Sequence, residues 1–124
     1  MSEAISKLQI AERPVEDMTV LTLTGEIIGN DGDILLGKYV DDLLNRGRLK
    51  IVVNLAGVTY IDSAGVGMIV AEQKIAHKKG GAMKLTGLTN RSQRLLAMMK
   101  LLTVFETFDD EAAALRSFAW RPGN

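Results

Sequence analysis

The sequence predicts an α/β layer fold whose central strands run largely parallel. Three observations carry this. Compact β-branched or apolar runs alternate with stretches of helical apolar spacing from Met18 to Phe118. One run, Ile51-Val52-Val53-Asn54-Leu55, is nearly continuous in apolar residues, the pattern of a central strand buried on both faces. Glycine and aspartate fall where strand gives way to helix and helix to strand, at Gly25, Gly47, Asp62 and Gly80-Gly81.

The elements follow in order. Ile5, Leu8 and Ile10 suggest a first strand, which Pro14 is expected to end. Met18 to Thr24 is a second, with Leu21 and Leu23 on one face. Gly29-Asn30-Asp31-Gly32-Asp33 has the composition of a loop, and Asp31 or Asp33 is placed to cap a helix carrying Leu36, Val40, Leu43 and Leu44. After Ile51–Leu55 and Thr59-Tyr60-Ile61 comes Asp62-Ser63. Helical spacing then runs through Met68, Ala71 and Ile75 to Gly80-Gly81. Met83 and Leu85 mark another strand. Asn90 is placed to cap a third helix with Leu95, Leu96, Met98, Met99 and Leu102. Val104-Phe105 reads as a brief strand, and Asp109 or Asp110 opens a last helix with Ala112, Ala113, Leu115 and Phe118. The pattern is β-β-α-β-α-β-α-β-α, the opening pair being an antiparallel addition.

Length sets the scale. A chain of 124 residues fits one domain, with a core over about residues 5–118 and a tail at 119–124, of which Trp120 to Asn124 is expected to be frayed. That size buries roughly two-thirds of the surface of the unfolded chain, enough for a core without staples. There is no cysteine, which excludes a disulfide framework, a thiol nucleophile and a thiolate zinc site. A single histidine, His77, excludes a multi-histidine metal site within one chain. No long apolar run or basic leader stands in the sequence, so a cytoplasmic protein with no membrane contact is expected.

Formal charge is zero, but it is unevenly placed. Residues 1–62 hold 6 basic and 10 acidic side chains, residues 63–124 hold 9 basic and 5 acidic. Between Ile75 and Phe105 there is no acid, against Lys78, Lys79, Lys84, Arg91, Arg94 and Lys100. No aromatic lies between Ile61 and Val104, so the stacking platform of a single-strand nucleic-acid binder is missing and direct nucleic-acid binding is not expected. The stretch reads as a solvated face, or as a face that meets a protein.

The Asp62-Ser63-Ala64-Gly65-Val66-Gly67 segment stands out. A hydrophobic strand feeds it and an amphipathic helix leaves it. In open sheets of this kind, function favours the loops at the carboxyl ends of strands. Two glycines inside a first helical turn each cost about 0.5–1 kcal/mol relative to alanine, less near the end. Such a turn accommodates either a tight strand–helix crossing or a partner approaching the helix start. Asp62 is placed as the N-cap, leaving Ser63 in the first turn beside the loop surface.

Enzyme motifs fail one by one. There is no Gly-x-x-x-x-Gly-Lys-Ser/Thr loop. Val70 stands where Gly-x-Gly-x-x-Gly needs its third glycine, and Ile61 where a Gly-x-Ser-x-Gly elbow needs its first. His77 lies on the same predicted helix as Ser63, about 21 Å along the axis at 1.5 Å per residue, too far to serve as its base. The Asp31-Gly32-Asp33 loop lacks the calcium-loop spacing, and no acidic pair follows the first strand to make Asp62 a metal-assisted phosphoacceptor. A catalytic role is not expected.

The run from Val52 to Gly67, Val-Val-Asn-Leu-Ala-Gly-Val-Thr-Tyr-Ile-Asp-Ser-Ala-Gly-Val-Gly, closely resembles the central signature of STAS domains, in their anti-sigma-factor antagonist branch. The resemblance extends from about Met18 to Phe118 and includes Leu23-Thr24-Gly25-Glu26, the Gly80-Gly81 turn and Arg94-Leu95-Leu96. It implies a single STAS-like domain, a four- to five-stranded mixed sheet with about four helices. It also implies a regulatory binding protein with no cofactor and no metal of its own. The serine after the aspartate, here Ser63, would be phosphorylated by an anti-sigma factor that is itself an ATP-dependent serine kinase. The unphosphorylated chain would bind that factor and free a sigma factor, and a PP2C-type phosphatase would restore this form. Ala64 stands where many relatives have a second hydroxyl residue, so Ser63 is the hydroxyl of the motif. The implied partner surface comprises Asp31, Asp33, Asp62, Ser63, Ala64, Gly65, Val66 and Gly67. Two other functions fit the same fold: a constitutive scaffold subunit of a stressosome-like or lipid-transport complex, and a ligand sensor acting at the strand ends.

Overall fold

The computed structural model describes residues 5–119, so the expected fraying of the last five residues lies outside it. Nine elements follow in order: β1 (Leu8–Val15), β2 (Met18–Ile27), α1 (Gly32–Asn45), β3 (Lys50–Ile61), α2 (Ser63–Lys78), β4 (Ala82–Thr86), α3 (Asn90–Met98), β5 (Thr107–Phe108) and α4 (Glu111–Ala119). The strands form one sheet in the order β1-β2-β3-β4-β5. β1 is antiparallel to β2 and every later pairing is parallel, so the sheet is mixed, as the sequence pattern implies.

The central strand is the one its composition marks. Ile51, Val52 and Val53 are all fully buried, because helices cover both faces of the sheet. On one face Leu21, Leu23, Ile51, Val53, Leu55, Met83 and Leu85 pack with Leu36, Val40, Leu43, Val66, Ile69 and Leu96 of α1, α2 and α3. On the other, Val20 and Val52 meet Ala114 of α4. Lys84, next along that second face, is buried rather than solvated. Its ammonium donates to Ser117 Oγ (2.8 Å), lies 3.6 Å from the Glu106 carboxylate and stands 4.2 Å from the centre of the Phe118 ring. Those contacts satisfy the charge and fix α4 on the sheet.

Several elements depart from the sequence reading. β1 runs through Pro14 to Val15, because it is an edge strand and an edge tolerates a missing N–H. Thr89, not Asn90, caps α3: its hydroxyl accepts the Ser92 N–H at 3.1 Å. α3 stops at Met98, leaving Met98 80 % exposed and Leu102 in the connection that follows. The last strand is Thr107–Phe108, since Phe105 is drawn into the main core instead of pairing with β4. Of the two candidate caps of α4, it is Asp110 that accepts the Ala113 N–H.

Because the strands from β2 onward are parallel, their helices all leave from the same edge of the sheet. Ile27 at the end of β2 pairs with Ile61 at the end of β3, which sets the loop before α1 beside the turn before α2. Among the described residues no helix is long and apolar enough to cross a membrane.

Candidate functional site

Ser63 is the first residue of α2 and is exposed. What places it there is Asp62. The Asp62 N–H donates to Ile27 O (3.2 Å), carrying the β2–β3 pairing to its end. Its carboxylate then bridges two loops: Oδ1 accepts the Gly65 N–H and Oδ2 the Gly29 N–H, each at 2.9 Å. These backbone donors, Gly29 first and Gly65 second, hold the Asp62 carboxyl below the usual carboxylate range. The N-cap expected from sequence is thus present, and it does a second thing that a cap need not do. It ties the Gly29–Asp33 loop to the start of α2, with Gly29 so close to the Ala64 methyl that a side chain at 29 would crowd it.

The two loop aspartates are positioned otherwise than as simple caps. Asp31 holds the N-cap position of α1 but makes no capping bond; its Oδ2 accepts the Lys7 N–H at 2.9 Å, bracing the loop against the start of β1. Asp33, inside the first turn, accepts through Oδ1 from Asp31 N–H (3.1 Å) and Ile34 N–H (2.7 Å). Both keep part of their surface in solvent.

The expected contact segment divides into an outer and an inner set. Ser63, Ala64 and Gly67 are exposed, and Asp62 is half-buried. Gly65 and Val66 are buried, Val66 in the main core, so neither is open to a partner. Gly65 is a packing glycine: a Cβ there would collide with Ile27 O. Of the two glycines in the turn, Gly67 is the one with the open space that an approaching partner needs. His77, far down α2, is exposed.

Two apolar side chains at this edge were not legible as site residues: Ile34 on the first turn of α1 and Tyr60 next to the end of β3, each 43 % exposed. The Arg91 guanidinium of α3 lies over the Tyr60 ring, 5.3 Å from its centre. An aromatic on a strand two residues ahead of the aspartate was the available signal. Among the described residues no group of three or more His, Cys, Asp or Glu side chains is arranged to hold a metal ion.

Removal of the Asp62 carboxylate tests its bridging role. Asp62→Ala is expected to cost about 1–2 kcal/mol, the upper range for loss of an N-cap, measured by urea unfolding at pH 7. Because the folded-state value is depressed, this contribution is present above the unfolded-state pKa. It is lost as pH falls through the folded-state value, so wild type and variant should converge in acid.

A mixed five-stranded sheet with helices on both faces, and an exposed hydroxyl at the turn from its central strand into a helix, defines the class: a single-sheet α/β domain. The STAS domain model matches residues 9–114, and the chain belongs to that family, among its anti-sigma factor antagonists. It is 28% identical over 108 residues to an anti-sigma F factor antagonist of Paenibacillus polymyxa, spanning 87% of this chain and 92% of that one. It is 31% identical over 86 residues to the anti-sigma-B factor antagonist of Bacillus subtilis, spanning 69% and 77%. A crystal structure of a provisionally assigned anti-sigma factor antagonist from Thermotoga maritima superposes with a TM-score of 0.83 at 27% identity, covering 90% of this chain and 95% of that one.

Proposed function

We propose that this chain is a phosphorylation-gated binding module that acts in the cytoplasm on an anti-sigma factor with serine kinase activity. With Ser63 unmodified, the edge formed by the Gly29–Asp33 loop and the α2 start docks on that factor, which then releases its sigma factor. The kinase transfers the γ-phosphoryl group of ATP to Ser63 Oγ, with loss of the hydroxyl proton and of ADP, and docking ends. A PP2C-type phosphatase hydrolyses the phosphoserine and restores the binding form. ATP belongs to the kinase in this scheme, and the chain needs no cofactor.

The observation that carries the reading is the exposure of Ser63 at the head of α2 while the Asp62 carboxylate is occupied by backbone N–H groups. A phosphoryl group there adds about −1.5 to −2 charges. The helix N-terminus favours it by roughly 0.3–1 kcal/mol, while Asp62 opposes it, so the fold has little reason to change. The interface does. A desolvated dianion with no partner needs to cost only about 2.7 kcal/mol to weaken binding a hundredfold. The names of the relatives from Paenibacillus and Bacillus support the partner class.

Two variants and one mass measurement test the gate. Ser63→Asp is expected to bind the purified anti-sigma kinase at least a hundredfold more weakly than wild type, and Ser63→Ala to bind like wild type and resist phosphorylation. Mass spectrometry of the chain from its host should show a gain of about 80 Da, one phosphoryl group, on Ser63. If both variants bind as wild type does, the gate is not at Ser63, and a constitutive scaffold role takes its place.

A further inference from the structure

The outer face of α3 is built for contact, although nothing within the described chain covers it. Arg91, Arg94 and Met98 stand at i, i+3 and i+7, one stripe of the helix, and all three are exposed. Ser92 and Leu96 are buried on the opposite side. Met98 is 80 % exposed, Leu102 and Val104 extend the apolar surface beyond the helix, and Lys100 lies between them. Helical spacing puts Met98 on the outer stripe with the two arginines, so a large apolar side chain stands exposed where a polar one is expected.

Charge narrows the possibilities. From Ala76 to Val104 the chain carries no acid, and among the described residues none of Arg91, Arg94 and Lys100 forms an ion pair. Arginine, tyrosine and methionine are the residue types that interfaces favour. The stripe is also continuous with the Ser63 edge, because Arg91 rests on the ring of Tyr60, three residues ahead of Ser63. A partner covering Ser63 that extends in this direction meets Tyr60 and Arg91, then Arg94 and Met98.

We infer that the Arg91–Arg94–Met98 stripe of α3 is a second docking surface, occupied by an acidic segment of the same protein that covers Ser63, with carboxylates opposite the two arginines and an apolar side chain over Met98. The inference rests on the function proposed above for its partner. It assigns the Ser63 edge to gating and the α3 stripe to attraction and register. Charges at the rim of an interface act mainly on the association rate and its salt dependence.

The experiment measures binding of the purified anti-sigma kinase to wild type, Arg91→Glu/Arg94→Glu, Arg91→Lys/Arg94→Lys, Met98→Ser and the Ser63 variants, at 50 and 500 mM salt. The charge-reversed double variant is expected to bind at least tenfold more weakly at low salt, through a slower association rate, and to lose most of the salt dependence. The lysine pair should retain most of the wild-type affinity, and Met98→Ser should dissociate several-fold faster. Because these side chains are exposed, thermal unfolding should stay within a few degrees of wild type. Wild-type binding by the charge-reversed variant overturns the inference, and if Ser63→Asp still abolishes binding the gate survives without it. Weakening by charge reversal with no effect at Ser63 is the converse result: the α3 surface stands and the gate falls. If charge reversal instead abolishes self-association of the chain, or its binding to phosphatidylglycerol vesicles, while leaving the kinase untouched, the occupant is wrong and the inference is overturned.

Discussion

Gly65→Ala is expected to destabilise the chain by about 2–4 kcal/mol, the range in which forced overpacking of a core reaches its upper end. The added Cβ would collide with Ile27 O and stand 2.9 Å from both Ile27 Cγ2 and Ile61 Cγ1. The first of these is backbone. It cannot retreat, because the Ile27 carbonyl accepts the Asp62 N–H and Ile27 pairs with Ile61 where β2 and β3 end. Relief therefore means moving the head of α2, and with it Ser63. Gly67→Ala is the internal control: nothing lies within 4 Å of a Cβ there, and alanine's helix preference should stabilise by about 0.5–1 kcal/mol. Urea unfolding of the two variants at pH 7 reads both effects. A cost below about 0.5 kcal/mol at Gly65 would mean that the strand–helix crossing does not depend on a bare Cα. The same pair separates packing from partner access, since a partner that approaches the first turn closely should lose affinity for Gly67→Ala although the fold gains stability.

What the sequence disclosed of the site, it disclosed through short-range chemistry. The apolar run of β3, the aspartate at its end and the serine after it are neighbours in the chain, and strand, cap and first helical turn follow from their order. The pairing of Asp62 with Gly29 spans 33 residues and leaves no local trace, so a residue legible as a cap proved also to be a bridge. The two glycines of the turn looked alike in sequence and are opposite in structure, because only the β2 backbone beneath Gly65 distinguishes them. Asn90 lost the capping position to its neighbour Thr89, a competition between two good caps that composition does not decide. Lys84 and Glu72 have the composition of surface charges and are both buried. Their partners come from α4 and from α1, elements whose placement on the sheet no residue spacing revealed. Exposed apolar residues failed in the other direction: Met98 keeps helical spacing, yet the helix ends under it and nothing in the described chain arrives to cover it.

Glu72 carries the second large effect, a dependence of stability on pH. It lies midway along α2, only 3 % exposed, with Oε1 lacking any partner among the described residues. Burial, and after it the hydrogen bond and negative charge of Asp41 on α1, push its carboxyl up to about 8. At neutral pH Glu72 therefore keeps its proton and donates it to the Asp41 carboxylate, joining the two helices that flank the Ser63 edge. The unfolded chain releases that proton near the ordinary value of 4.5. The native state thus binds the proton more tightly than the unfolded state. This contribution to stability is full below about pH 4.5, declines as pH rises toward about 8 and levels off above it. Its slope within the window approaches about 1.36 kcal/mol per pH unit for one whole proton. Glu72→Gln keeps the size and a donor toward Asp41 but cannot ionise. It is expected to unfold at nearly the wild-type urea concentration at pH 5 and to be more stable by about 1–3 kcal/mol at pH 8.5, where wild type must hold a buried charge without a counterion. Asp41→Asn should make the wild-type decline smaller and end it at lower pH, with its onset unchanged, and should not abolish it, because burial remains the larger cause. Parallel stability profiles for wild type and Glu72→Gln between pH 5 and 9 would show that no proton is held at this seam.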